Sequence, residues 1–153
     1  MAHEKHFIPA GYRTVTPYLL VPEVAPLMRF LIEAFGAIDD APELRNSKMP
    51  DGSIGHVEMI IGDATVVIGR ASEHFPPMPG MVHLYLEEVD KFYQQALEAG
   101  AVTAMEPDDQ FYGERSAGVK DPFDNLWWIS TQVEDLSPEE YARREQEYYR
   151  QKA

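Results

Sequence analysis

The side chains of this chain best suited to chemistry are His56 and Glu58, two residues apart, and His83. Side chains two apart on a strand share a face, so His56 and Glu58 point the same way if that segment is extended. Two imidazoles and a carboxylate make a chemically adequate set for a divalent ion such as zinc. Glu58 can instead orient His56 as a general base lining a pocket. A third reading makes the pair the polar face of a half-buried strand. Residue types alone leave the three open, and His56, Glu58 and His83 stand as the candidate catalytic residues.

A second group suits recognition. Tyr18 and Tyr85 fall on strand-like segments, and strand alternation sends them to the same face as His56 and His83. Tyr112 and Arg115 share the loop Gln110-Phe111-Tyr112-Gly113-Glu114-Arg115, where a cation beside aromatic rings suits an anionic or aromatic ligand. Trp128 offers an aromatic wall on one face of the last strand, while Trp127 faces the other side. The plain alternatives are a polar loop with an aromatic anchor and simple core packing. Tyr18, Tyr85, Tyr112, Arg115 and Trp128 are the candidate ligand-binding residues. His3, His6 and His74 lie in an arm or a loop and read as surface groups.

Other chemistries are absent. The 153 residues contain no cysteine, which removes thiolate metal sites, disulfides and cysteine nucleophiles. No Gly-x-Gly-x-x-Gly, Gly-x-x-x-x-Gly-Lys or Gly-x-Ser-x-Gly motif occurs, so dinucleotide, phosphate-loop and serine-hydrolase signatures are missing. Asp and Glu number 26 against 13 Lys and Arg, a formal charge of -13. That balance disfavours nucleic acid and anionic membrane surfaces as partners. No apolar run suits a membrane span, and the first residues lack the apolar stretch of a signal peptide; the expected location is cytoplasmic.

The elements that must position these groups occur twice. Val15–Val21 reads as a strand, and Leu27, Phe30, Leu31 and Ala34 give a helix over Val24–Phe35 closed by Gly36. Strand signals follow near Leu44, over Gly55–Ile61 and over Thr65–Ile68. After Pro76-Pro77-Met78-Pro79-Gly80 the pattern restarts. Met81–Leu86 is a strand and Val89–Ala99 a helix ending at Gly100; strands follow near Ala101–Met105, Ala117–Lys120 and Leu126–Thr131. Tyr18-Leu19-Leu20-Val21 aligns with His83-Leu84-Tyr85-Leu86, which predicts Tyr18 and His83 at equivalent places. Ser137, Pro138 and Glu140 begin a terminal helix as N-cap, N1 and N3, running through Tyr141, Tyr148 and Tyr149. The reading is α+β: an arm over 1–13, a βαβββ module over 14–75, a linker over 76–80, a second βαβββ module over 81–133 and a helix over 134–153.

This repeat resembles the vicinal oxygen chelate superfamily of glyoxalases, bleomycin-resistance proteins and extradiol dioxygenases, and within it the PhnB-like branch. The resemblance is carried by Thr16-Pro17-Tyr18-Leu19, Ala34-Phe35-Gly36-Ala37, Pro50-Asp51-Gly52, His56-Val57-Glu58, His83 to Asp90, Asp109 to Arg115, Asp121-Pro122-Phe123 and Glu134 to Glu140. It implies modules forming a cleft and a homodimer. It also implies metal ligands at positions that fall here on Thr16, Met81, Trp128 and a place near Ile68, none of which is a usual ligand type. The expectation is therefore a small-molecule-binding protein in the manner of bleomycin-resistance proteins, with no metal and no other cofactor. The alternative is a metal-dependent isomerase, lyase or dioxygenase using His56, Glu58 and His83.

Overall fold

The computed structural model of the chain describes residues 6–153, so the surface expectation for His3 lies outside the described residues. The chain divides between Gly80 and Met81 into two compact units. The first holds β1 (Tyr18–Val21), α1 (Val24–Phe35), β2 (Ser47–Lys48), β3 (Ile54–Ile61) and β4 (Ala64–Arg70), with sheet order β1-β4-β3-β2. The second holds β5 (Met81–Tyr85), α2 (Val89–Glu98), β6 (Val102–Asp109), β7 (Glu114–Lys120) and β8 (Leu126–Gln132), ordered β5-β8-β7-β6, followed by α3 (Pro138–Lys152). In each sheet the first strand runs parallel to the last, and the remaining pairs are antiparallel.

Apolar periodicity decides which sheet face is covered. α1 buries Leu27, Phe30, Leu31 and Ala34, while Val57, Met59 and Ile61 of β3 and Val66 and Ile68 of β4 complete that core. Gly36, at φ 67°, ends the helix as a left-handed residue, its amide donating to the Ile32 carbonyl. In the second unit Val89, Ala96, Ala117, Val119, Trp127 and Ile129 are buried. Residues of opposite parity in the strands, among them Tyr18, His56, Glu58, His83 and Ser130, occupy the helix-free faces.

The register makes the repeat explicit. Tyr18 pairs with Val67, Val67 with Glu58, and Gly69 with His56. His83 pairs with Trp128, Trp128 with Gly118, and Ser130 with Ser116. Tyr18 is thus equivalent to His83, Gly69 to Ser130, His56 to Ser116, Val67 to Trp128 and Glu58 to Gly118. Bulk is exchanged between the members of each set: Tyr beside Gly in one unit becomes His beside Ser in the other.

Of the boundaries that differ from the sequence reading, three have a clear physical reason. β1 starts at Tyr18 because Pro17 has no amide to give the ladder, although its carbonyl accepts from Val67. The strand expected near Leu44 begins at Ser47, because the Asn46 side chain rather than its backbone receives the Glu58 amide, at 2.9 Å. β6 extends to Asp109 with register shifts on either side of Met105, and Pro107 sits within the second of them on an edge strand.

No residue of α3 is buried. The Ser137 hydroxyl caps it by accepting from the Glu140 amide. Phe111, 4.8 Å from the Tyr148 ring and 5.7 Å from that of Tyr141, joins the helix to the β6–β7 turn. Arg143 and Arg144 bind Glu140 and hold its carboxyl at about 2.

Candidate functional site

Glu58 organises the first unit's helix-free face. A carboxylate in the middle of an apolar strand, 1% exposed, is expensive to desolvate without a partner. Arg45 supplies that partner twice: its amide donates to Glu58 Oε2 at 2.8 Å and its Nε to Oε1 at 3.0 Å. Tyr12, from the entry arm, lies under the guanidinium with 5.4 Å from Cζ to ring centroid. Its hydroxyl is buried beside the ion pair without completing a hydrogen bond of regular geometry. The arm itself is tied down by Thr65, whose hydroxyl donates to the Gly11 carbonyl at 2.9 Å.

His56 stands on the same face, its Nε2 3.7 Å from Glu58 Oε1 and its Nδ1 3.4 Å from the Tyr18 hydroxyl. Tyr18 can cross the sheet to His56 only because Gly69 lies between them; a Cβ at Gly69 would sit 2.7 Å from Tyr18 Cε1. Tyr12, Thr16, Tyr18, Arg45, His56, Glu58 and Val67 line an open concavity of about 500 Å³. A larger one, about 610 Å³, lies at the start of α2; its charges, such as Lys91 and Glu88 at 3.4 Å, pair with each other at the surface. The first is the stronger candidate because aromatic, cationic and imidazole groups converge there around a buried carboxylate.

Burial works to raise the Glu58 pKa, but the nearby Tyr12 hydroxyl, the Arg45 amide and the Arg45 charge outweigh it and hold the carboxyl below its usual range. A depressed folded pKa stabilises the fold above the unfolded value of about 4.3 and loses that contribution as pH falls through the folded value. Urea unfolding of the wild type should therefore weaken more steeply below about pH 4 than that of Glu58→Gln, which has nothing to titrate there. Equal acid slopes in the two proteins would show that the fold does not favour the ionised carboxyl.

In the second unit the equivalent face carries a hydroxyl chain. His83 Nε2 is 3.0 Å from Ser130 Oγ, which is 2.8 Å from Ser116 Oγ. Both serines are fully buried, so they position His83 rather than face a ligand. Tyr85 stacks on His83 with centroids 4.7 Å apart, and its hydroxyl donates to Glu114 at 2.7 Å. Trp128 lies across Gly118 on this face, and half-buried Tyr112 stands in the turn that bears Phe111. Arg115 has the other parity: its Nε and Nη2 bind Asp90 at 2.7 and 2.8 Å and its Nη1 binds Asp109, on the side of α2.

The structure thus brings together Tyr18, His56 and Glu58 in one unit and His83, Tyr85 and Trp128 on one face of the other, and within that second unit it sets Arg115 apart from that face. Sequence reasoning missed Arg45 and Tyr12. The available signal was Glu58 itself, since a carboxylate amid Val57, Met59 and Ile61 demands a cation.

The donors do not fit a resident metal ion. The register equates Val67 with Trp128, so the fourth place implied by the family falls one residue before Ile68, again without a ligand atom. Thr16, Val67, Met81 and Trp128 occupy the four places. Glu58, the one buried carboxylate near His56 among the described residues, has both oxygens engaged by Arg45, whose positive charge opposes a nearby cation. Among the described residues no helix is long and apolar enough to cross a membrane.

The sequence profile of the glyoxalase/bleomycin resistance protein/dioxygenase superfamily matches residues 13–129. Uncharacterised proteins of Mycobacterium bovis and Mycobacterium tuberculosis are each 30% identical over 140 residues, spanning 82% of this chain and 88% and 78% of theirs. Among solved structures, TioX from Micromonospora sp. ML1 superposes with a TM-score of 0.63 at 20% identity, covering 79% of this chain and 99% of that one. A glyoxalase/bleomycin resistance protein/dioxygenase from Nocardioides gives 0.59 at 16% identity, covering 82% and 87%. These likenesses establish the fold, two βαβββ modules followed by a helix.

Proposed function

We propose, from the premise that this chain belongs to the glyoxalase/bleomycin resistance protein/dioxygenase superfamily, that it binds a small molecule on the helix-free face of its N-terminal sheet and does so without a metal. The observation that carries this reading is the convergence of Tyr18, Arg45 and His56 on a concavity of about 500 Å³. That volume suits a compact ligand rather than a large glycopeptide. Tyr18, 54% exposed, offers an apolar ring with a polar tip, which suits a flat ligand stacked on it. The motifs Pro50-Asp51-Gly52 and Asp109 to Arg115 support placement in the PhnB-like branch, and an acidic chain without cysteine suits the cytoplasm.

The probes are quinoline, indole and 2-naphthamide. At ten times Kd, a bound probe stabilises by about 1.4 kcal/mol, roughly a 3–6 °C rise in Tm. We expect such a rise with at least one of them, lost in both Tyr18→Ala and His56→Ala. No rise with any probe, or a rise that both variants retain, would defeat the reading.

The proposal includes a homodimer. The edge strand β5 leaves Met81 and Tyr85 more than half exposed, and pairing across a two-fold axis is the commonest way to cover such surface. Sedimentation equilibrium at micromolar protein should return about twice 17.4 kDa. A monomer mass would remove this part of the proposal.

A further inference from the structure

Glu58 and Arg45 are an unequal pair: the carboxylate side chain is 2% exposed and the guanidinium side chain 66% exposed. Arg45 uses its amide and Nε for Glu58. Its two terminal nitrogens make no regular hydrogen bond to the described residues, and Arg45 lines the concavity beside the Tyr12 hydroxyl. The next residue is pinned as well, because the Asn46 side chain accepts the Glu58 amide. The guanidinium is therefore fixed at one edge by a buried carboxylate and at one face by the Tyr12 ring, and its free edge is presented outward. That edge is the fork which receives a carboxylate through two parallel N–H bonds, and holding it in place removes most of the entropy a free arginine loses on binding. Tyr18 and His56 lie across the same concavity, with ring centroids 6.0 Å apart, and offer stacking for a flat body attached to that carboxylate.

We infer that this pocket takes an aromatic carboxylate, with Arg45 receiving the carboxylate and the Tyr18–His56 pair receiving the ring; the inference rests on the binding reading above. Tyr12, Tyr18, His56 and Glu58 are the other titratable groups lining the site. Since Glu58 is already bonded on both oxygens, it acts on the ligand through Arg45 and is a positioning residue.

Calorimetric titration with 2-naphthoate and with its neutral counterpart 2-naphthamide tests the inference. A charge-assisted pair of hydrogen bonds predicts naphthoate tighter than naphthamide by on the order of tenfold. The naphthoate-to-naphthamide ratio should collapse towards one in Arg45→Gln. Because Arg45→Gln leaves a buried carboxylate without its cation, the double variant Arg45→Gln/Glu58→Gln is measured beside it; it replaces the ion pair by two amides and should show the same collapse. Equal affinities for the two probes in the wild type, or a preference for naphthoate that survives in the folded double variant, would overturn the inference while leaving the pocket standing. Failure of both probes to bind the wild type would overturn the pocket and the inference together.

Discussion

Trp127→Ala should cost the protein about 3–5 kcal/mol of unfolding free energy, as large aromatic truncations in a closed core do. Trp127 is fully buried, and its Nε1 donates to Asp121 Oδ2 at 2.8 Å. Asp121, itself buried, also accepts from the amides of Phe123 and Asn125 and from the Asn125 side chain, so it fixes the turn between β7 and β8. The truncation thus opens a cavity and leaves a buried carboxylate oxygen short of one donor. Urea unfolding measures the loss. Trp128→Ala, on the half-buried opposite face, should cost clearly less. Equal losses would mean that the second sheet's two faces have been assigned wrongly.

Gly69→Val should disable the candidate site and destabilise the fold together. The new side chain would enter the space Tyr18 occupies, with Cβ 2.7 Å from Tyr18 Cε1. Relief requires the ring to swing off the sheet, which breaks its approach to His56, or the β1–β4 pair to part. Overpacking of this kind costs about 1–3 kcal/mol, and loss of the stacking surface should remove measurable binding of 2-naphthamide. A cycle with Tyr18→Ala separates the two effects: with the ring gone, Gly69→Val should cost little stability. An unchanged cost in the Tyr18→Ala background would show that the glycine is required by the backbone instead of by the ring.

How much of this was legible in the sequence differs between fold and site. α1 has the bounds that the spacing of Leu27, Phe30, Leu31 and Ala34 predicts, because helix periodicity and a terminal glycine are local signals. The equivalence of Tyr18 and His83 was legible for the same reason: the letters around them repeat at a fixed offset. Parity placed His56 and Glu58 on one face. It could not say that Glu58 is buried there, since that depends on Arg45 and Tyr12, from segments with no periodic pattern. Arg115 read as a ligand group because it stands among aromatics in sequence; in the fold a one-residue parity difference from Ser116 turns it to Asp90 and Asp109. Gly69 carried no sequence signal, since its meaning lies in the size of Tyr18 on the neighbouring strand.

The ligand site proposed above is the helix-free face of the N-terminal sheet. Titrating isotope-labelled protein with 2-naphthoate and following backbone amide NMR shifts tests it most directly. The largest changes should fall on Tyr12, Tyr18, Arg45, His56, Glu58 and Val67 and vanish in Gly69→Val. Changes centred instead on Glu88, Lys91 and Phe92 at the start of α2, with the first unit silent, would contradict it.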